Sequence, residues 1–169
     1  MKITLISFDN WGFNQHIAKA LEHNNHKVNH IDFSKFKYKY PTFLHRLYNF
    51  FLKILFKKNL KTKLYGNCII DELKKNNEPQ DLILTIKGDL IAPEFAIQIK
   101  NYTKKSVAFF NDNTKRCPKI IRVLPCFDEV FSFEKEDCKK YNLKFKTNFI
   151  YNYLEKPNFN EKSDFEVFN

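Results

Sequence analysis

Short apolar runs alternate with stretches of helical spacing along most of the chain. KITLIS at residues 2–7 is a short run with Ile3, Leu5 and Ile6 at its apolar centre and predicts a buried first strand. A turn follows at 9–12. Residues 13–24 then place Ile17, Ala20 and Leu21 on one helical face. KVNHI at 27–31 alternates and predicts a second strand. After Pro41 a long helical stretch runs to about residue 64, and 68–75 predicts a further helix. DLILTI at 81–86 predicts the third strand, and Pro93 suits the first turn of a helix running to about residue 102. SVAFF at 106–110 predicts strand four, 118–123 a short helix and EVFSF at 129–133 strand five. Residues 134–141 predict a helix with acids in its first turn, as the macrodipole favours, and 144–147 a short sixth strand.

Strands alternating with helices predict a parallel sheet covered on both faces. The expected fold is therefore α/β, a Rossmann-like doubly wound sheet in three α/β/α layers, with residues 2–7 in its middle. This domain spans 1–151. From Asn152 the composition turns polar (NYLEKPNFNEKSD) and predicts a linker, and FEVFN at 165–169 has the pattern of an opening strand. Residues 152–169 are thus expected to be a linker and the start of a missing second domain; the alternative is a tail folding back on the first.

Length and composition narrow the classes. The 169 residues suffice for one domain with a substantial core, and 19 Phe with 8 Tyr make the chain too aromatic to be disordered. No apolar run reaches the roughly 18 residues of a membrane span. The opening MKITLISFDN turns acidic too early for a secretory leader. The four cysteines, Cys68, Cys117, Cys126 and Cys138, form no CxxC pair, which argues against zinc and for reduced cytoplasmic thiols.

Charge changes the picture more. The formal net charge is +10, from 29 basic and 19 acidic residues. Nine basic residues and no acidic one lie between Phe33 and Ile70, so one surface is cationic rather than the whole protein. On a single helix over 43–64, Leu44, Tyr48, Phe51 and Leu55 form an apolar stripe. Arg46, Lys53, Lys57 and Lys61 form the opposite one, with Phe43 and Phe50 beside the basic side. Aromatics next to cations suit an anionic membrane surface; the plain alternative is a solvated basic face. The patch matches no nucleic-acid reading motif, so no nucleic-acid partner is expected.

Ligands of doubly wound sheets bind beyond the carboxyl ends of the strands. The residues expected there are Asp9, Asn10, Gly12 and Asn14 after strand one, and Lys87, Gly88 and Asp89 after strand three. Asn111, Asp112, Asn113 and Arg116 follow strand four. Ser132, Glu134 and Lys135 lie at the end of strand five, Asn148 and Tyr151 beyond strand six. The first loop lacks GxGxxG, and GxxxxGK[ST], GxSxG and HExxH are absent, which argues against dinucleotide cofactors, P-loop chemistry and common hydrolases. Asp112, between two asparagines at a cleft mouth, has the placement of a general base toward a hydroxyl, or of a helix cap. Asp9 has the same two options. Lys87-Gly88-Asp89 would bind an anion or form a tight turn. His16 fits a surface residue, and His23, His26 and His30 share no clear metal-binding face.

MKITLISFDNWGFNQHIAKALEHNNHKVNHIDF, then DLILTIKGDLIAPE, VAFFNDNTKR and FDEVFSFEKEDCKKY, follow in the order seen in bacterial glycosyltransferases of two-Rossmann GT-B architecture. The chain resembles most closely the spore-maturation-protein-like group of lipopolysaccharide and capsule gene clusters, over about residues 1–151. The resemblance implies the N-terminal, acceptor-side half of an enzyme moving a sugar from a nucleotide-sugar to a surface-glycan or lipid-linked acceptor. It implies no metal or other cofactor, and a cytoplasmic site, peripheral on the inner membrane face. Asp112 would be the base and Asp9 the next candidate. Lys87, Asn111 and Arg116 would contact acceptor or donor phosphates, with Asn10, Gly12, Asn14 and Gly88 shaping the site. The alternative is a non-catalytic Rossmann-like binding or interaction module that needs a partner domain or chain.

Overall fold

The computed structural model describes residues 1–76 and 78–148. Its strands are β1 (Lys2–Ser7), β2 (Lys27–Asp32), β3 (Leu82–Ile86), β4 (Ser106–Phe110), β5 (Glu129–Ser132) and β6 (Lys144–Phe145). Its helices are α1 (Phe13–His23), α2 (Phe43–Phe56), α3 (Leu60–Lys74), α4 (Pro93–Ile99), α5 (Ile120–Val123) and α6 (Lys135–Tyr141). All strand pairs are parallel, in the order β2-β1-β3-β4-β5-β6. The fold is α/β, Rossmann-like and doubly wound. The order is that of the 2-1-3-4-5 class extended by one strand, not the dinucleotide-binding 3-2-1-4-5-6. β1 is therefore an interior strand, off the middle of the sheet.

β1 is buried from Ile3 to Ser7 because both of its faces are covered. Leu5 joins Ile17 and Ala18 of α1 and Ile86 on one face. Its neighbour Ile6 points the other way, into a core with Ile31, Phe33, Tyr65, Ile69, Ile83, Phe95 and Ile99. Ala96, Ala108, Phe110, Ile120 and Val123 continue this second core along α4 and α5. Gly66 lets α3 approach α4: a Cβ there would lie 2.2 Å from the Phe95 ring.

The long helix expected over 41–64 is instead two helices with a corner at Lys57–Asn59. Lys57 takes a left-handed backbone (φ 52°), and the Asn59 side chain accepts from Lys61 N as the cap of α3. Asn49, 1% exposed, fixes the corner: its Nδ2 donates to Tyr40 Oη at 2.6 Å and to Asn59 Oδ1 at 3.3 Å. Its Oδ1 accepts from Leu60 N at 2.9 Å. Local side-chain bonds of this kind compete with helix continuation.

The basic stripe is consequently divided. Arg46 and Lys53 lie on α2, Lys57 at the corner and Lys61 on α3. The apolar stripe does not face a core: Leu44, Tyr48, Phe51 and Leu55 are 71%, 56%, 49% and 67% exposed. Asn49 and Leu52 form the inner side of α2 instead, while Phe43 and Phe50 are also exposed. No helix among the described residues is long and apolar enough to cross a membrane. Residues 152–169, expected to be linker and new domain, lie outside the described residues, as does Tyr151.

Candidate functional site at the carboxyl edge

β1 lies between β2 and β3, so the winding direction reverses between β1 and β3. Ligands of such sheets bind above this switch point. The loops reaching it are 8–12 after β1 and 87–92 after β3, with 111–117 of β4 beside them.

In the first loop Gly12 takes φ 77°, a conformation costly for any side chain with a Cβ. Asp9 is 9% exposed, and its Oδ2 accepts from Asn14 N at 3.0 Å and Gln15 N at 3.2 Å. It therefore satisfies two free donors in the first turn of α1. Its own N–H donates to Asp32 Oδ1 at 3.1 Å, which also accepts from Ser34 N at 3.0 Å. Asn14 is buried beneath the loop, whereas Asn10 and Trp11 are exposed at its tip.

The second loop opens with Lys87 in a left-handed backbone (φ 60°). Gly88 is buried, and a Cβ on it would meet the Phe127 ring at 3.1 Å. Lys87 Nζ reaches across to Asp112 Oδ2 at 3.0 Å. Arg116 Nη1 lies 3.4 Å from Asp112 Oδ1, with its side chain 80% exposed. Asp112 does not cap the following turn: Asn113 Oδ1 accepts from Arg116 N at 2.8 Å. Asn111 Oδ1 is buried with no hydrogen-bond partner among the described residues. Burial pushes the Asp89 carboxyl above the usual carboxylate range against the pull of Lys87, with Asp112 adding to the rise. Burial also raises the Cys117 thiol, helped by Asp112 and Asp89, so this cysteine is a poor thiolate nucleophile.

The structure thus brings together Lys87, Gly88, Asn111, Asp112 and Arg116. Asp9, Asn10, Gly12 and Asn14 form a separate group above β1. β3 lies between β1 and β4, so the two groups are about 10 Å apart at the strand ends. Asp9 and Asp112 do not act on one atom. Asp9 is held as a cap, while Asp112 faces the partly exposed Lys87 and the exposed Arg116.

Two arrangements are not visible in the local sequence. His30 Nε2 lies 2.8 Å from Ser7 Oγ, and burial pushes the imidazole below its usual range against the charges of Asp32 and Asp9. Ser7 is fully buried, so the pair is an internal bond rather than a presented nucleophile. Asp137 of α6 accepts from Thr114 N at 2.7 Å and Thr114 Oγ1 at 2.6 Å, tying the β4 loop to a helix 23 residues away. No short-range signal marks that pair. Among the described residues no group of three or more His, Cys, Asp or Glu is placed to hold a metal ion.

Comparison with family models, with curated proteins and with solved structures finds no match to this chain. The chemistry of the carboxyl edge therefore rests on its own geometry.

Proposed function

We propose that the chain is the acceptor-side domain of a GT-B-type glycosyltransferase. The enzyme moves a sugar from a nucleotide-sugar to a surface-glycan or lipid-linked acceptor at the inner face of the membrane. The observation that carries this proposal is the Lys87–Asp112–Arg116 cluster beside the switch point. Asp112 is the base for the acceptor hydroxyl. When the exposed Arg116 turns to a donor phosphate, Asp112 Oδ1 is released to accept that proton. Lys87 stays on Oδ2 and orients the carboxylate. The unpartnered Asn111 Oδ1 offers an acceptor to a second ligand hydroxyl, since leaving it buried and unpaired costs about 1–3 kcal/mol. Asp9 serves the loop above α1 rather than the reaction.

The location follows from α2, whose exposed apolar side chains stand beside Arg46 and Lys53 at the same edge of the sheet. Transfer also needs a nucleotide-sugar-binding half, on a continuation of this chain or on a partner. Holding donor and acceptor in register is worth roughly 7–11 kcal/mol of barrier, which one wall of a cleft does not supply. Calorimetry of residues 1–169 against a panel of nucleotide-sugars and nucleoside diphosphates tests the site. At least one should bind weakly, and Arg116→Gln should weaken it about ten-fold by removing a phosphate contact of about 1.4 kcal/mol. A panel that binds nowhere, or binds Arg116→Gln equally, overturns the assignment.

One observation favours a second function, a non-catalytic binding module: both oxygens of Asp112 already face cations. In that case Asp112→Asn would leave the output of the completed assembly unchanged, whereas loss of a base lowers turnover by about 10²–10⁴.

A further inference from the structure

A cavity of about 310 Å³ opens at the same edge, between the α2–α3 corner, the loop after β3 and α5. Its wall carries Lys57, Lys58, Lys63, Lys119 and Arg122 against only two carboxylates, Asp89 and Glu94. Elsewhere among the described residues ten lysines sit within 4.0 Å of a carboxylate. None of the four lysines of this wall does. Lys57, Lys58 and Lys63 have no acid to pair with in their own segment, because none occurs between Phe33 and Ile70. Arg122 is turned toward the corner, where Nη1 donates to the Lys57 carbonyl at 3.4 Å. Unpaired charge of one sign around a concavity concentrates anions there.

The end of α3 is not the attractant. Its Leu60 and Lys61 N–H groups are already taken by Asn49 and Asn59. The side-chain cations are, and their number suits a group that carries two negative charges rather than one. Tyr48 and Leu52 of α2 form an apolar wall beside them. The volume is at the lower limit of small-molecule sites and equals roughly ten waters, room for a phosphate with a short apolar or polyol portion.

We propose that this cavity binds a phosphate monoester, with the phosphate among Lys58, Lys63, Lys119 and Arg122 and the ester's apolar part against Tyr48 and Leu52. The site adjoins the Lys87–Asp112–Arg116 cluster through Asp89 but uses none of those three side chains and does not depend on sugar transfer. Two sources carry this chemistry: a phosphorylated lipid headgroup, which α2 would bring to the cavity, and a soluble phosphorylated metabolite.

Hexyl phosphate titrated calorimetrically into residues 1–169 is the probe. One site is expected, weakened by added salt. The Lys58→Gln/Lys63→Gln/Lys119→Gln variant should lose at least ten-fold in affinity, and the corresponding triple Arg variant should keep it. These lysines are exposed, so thermal unfolding of both variants should match the parent. Displacement of hexyl phosphate by phosphatidic-acid vesicles assigns the lipid source, and displacement by glycerol 3-phosphate assigns the soluble one. Absence of hexyl phosphate binding at millimolar concentration, or equal binding by the triple Gln variant, overturns the inference.

Discussion

Replacing Phe50 and Ile54 by serine should detach the chain from anionic vesicles without unfolding it. Phe43, Leu47, Phe50 and Ile54 recur along one stripe of α2, and Leu44, Tyr48, Phe51 and Leu55 along the next. Together they form a wide apolar arc open to solvent. At 1.5 Å per residue this 14-residue helix is about 21 Å long, too short for a 30 Å hydrocarbon core, so it lies in the interface rather than across it. Phe50 is 56% and Ile54 59% exposed. Fully burying such a side chain contributes about 1.5–3 kcal/mol, so covering the remaining half contributes about 1–1.5 kcal/mol each. The double substitution should therefore weaken partition by about 2–3 kcal/mol, roughly 30- to 150-fold. Arg46 and Lys53 add about 1 kcal/mol each at low salt, and that part is screened as salt rises. Sedimentation with phosphatidylglycerol vesicles at low and high salt separates the two contributions. The parent should keep some binding at high salt, Arg46→Gln/Lys53→Gln should lose mainly the low-salt part, and Phe50→Ser/Ile54→Ser should lose the salt-resistant part. If the serine variant sediments like the parent, or the parent never sediments, α2 is not a membrane-facing helix.

Three further outcomes test the packing on which the site rests. Asn49→Ala removes its hydrogen bonds to the half-buried Leu60 N–H and the exposed Tyr40 hydroxyl and, at about 0.5–1.5 kcal/mol per bond, should cost about 1–3 kcal/mol in urea unfolding; an unchanged midpoint would show that another contact holds the α2–α3 corner. Gly66→Ala should destabilise by about 1–3 kcal/mol through its clash with the Phe95 ring, and Gly66→Ala/Phe95→Leu should lose less than the sum of the single changes; strict additivity would refute that contact. His30 is held below its ordinary pKa of 6.5, so the folded state favours neutral imidazole. Its contribution is present above pH 6.5 and is lost as pH falls through 6.5 toward the lower folded value, and a His30→Gln chain should show a flatter stability profile over that window.

The strands were legible because a parallel sheet buried on both faces writes itself as short runs with apolar centres. KITLIS and SVAFF match β1 and β4 residue for residue. The corner between α2 and α3 was not, because helical periodicity continues through Lys57–Asn59 while the break is made by Asn49, ten residues away from Asn59. Periodicity on α2 also identifies stripes without saying which one faces the core. The inner side proved to be that of Asn49 and Leu52, and the stripe of Leu44, Tyr48, Phe51 and Leu55 is open to solvent. The strand ends also identify the loops that stand at the carboxyl edge of the sheet. Which carboxylate is a cap was decided by local competition between neighbouring acceptors: Asp9 took the N–H groups of α1, and Asn113 relieved Asp112 of that role. The cationic cavity lay across three segments, 57–63, 89–94 and 119–123, whose meeting only the fold supplies.

In the proposed assignment the carboxyl-edge loops form the acceptor side of a transfer site, with Asp112 as base, Lys87 orienting it and Arg116 reaching a phosphate of the sugar nucleotide. Backbone amide chemical-shift mapping during titration with nucleotide-sugars tests it most directly. Shifts are expected to concentrate at 87–89 and 111–116, with weaker ones at 9–14, and to be lost in Arg116→Gln. Shifts clustered instead at the opposite edge, around Lys2, Lys27 and Glu78, or no shifts with any donor, would contradict it.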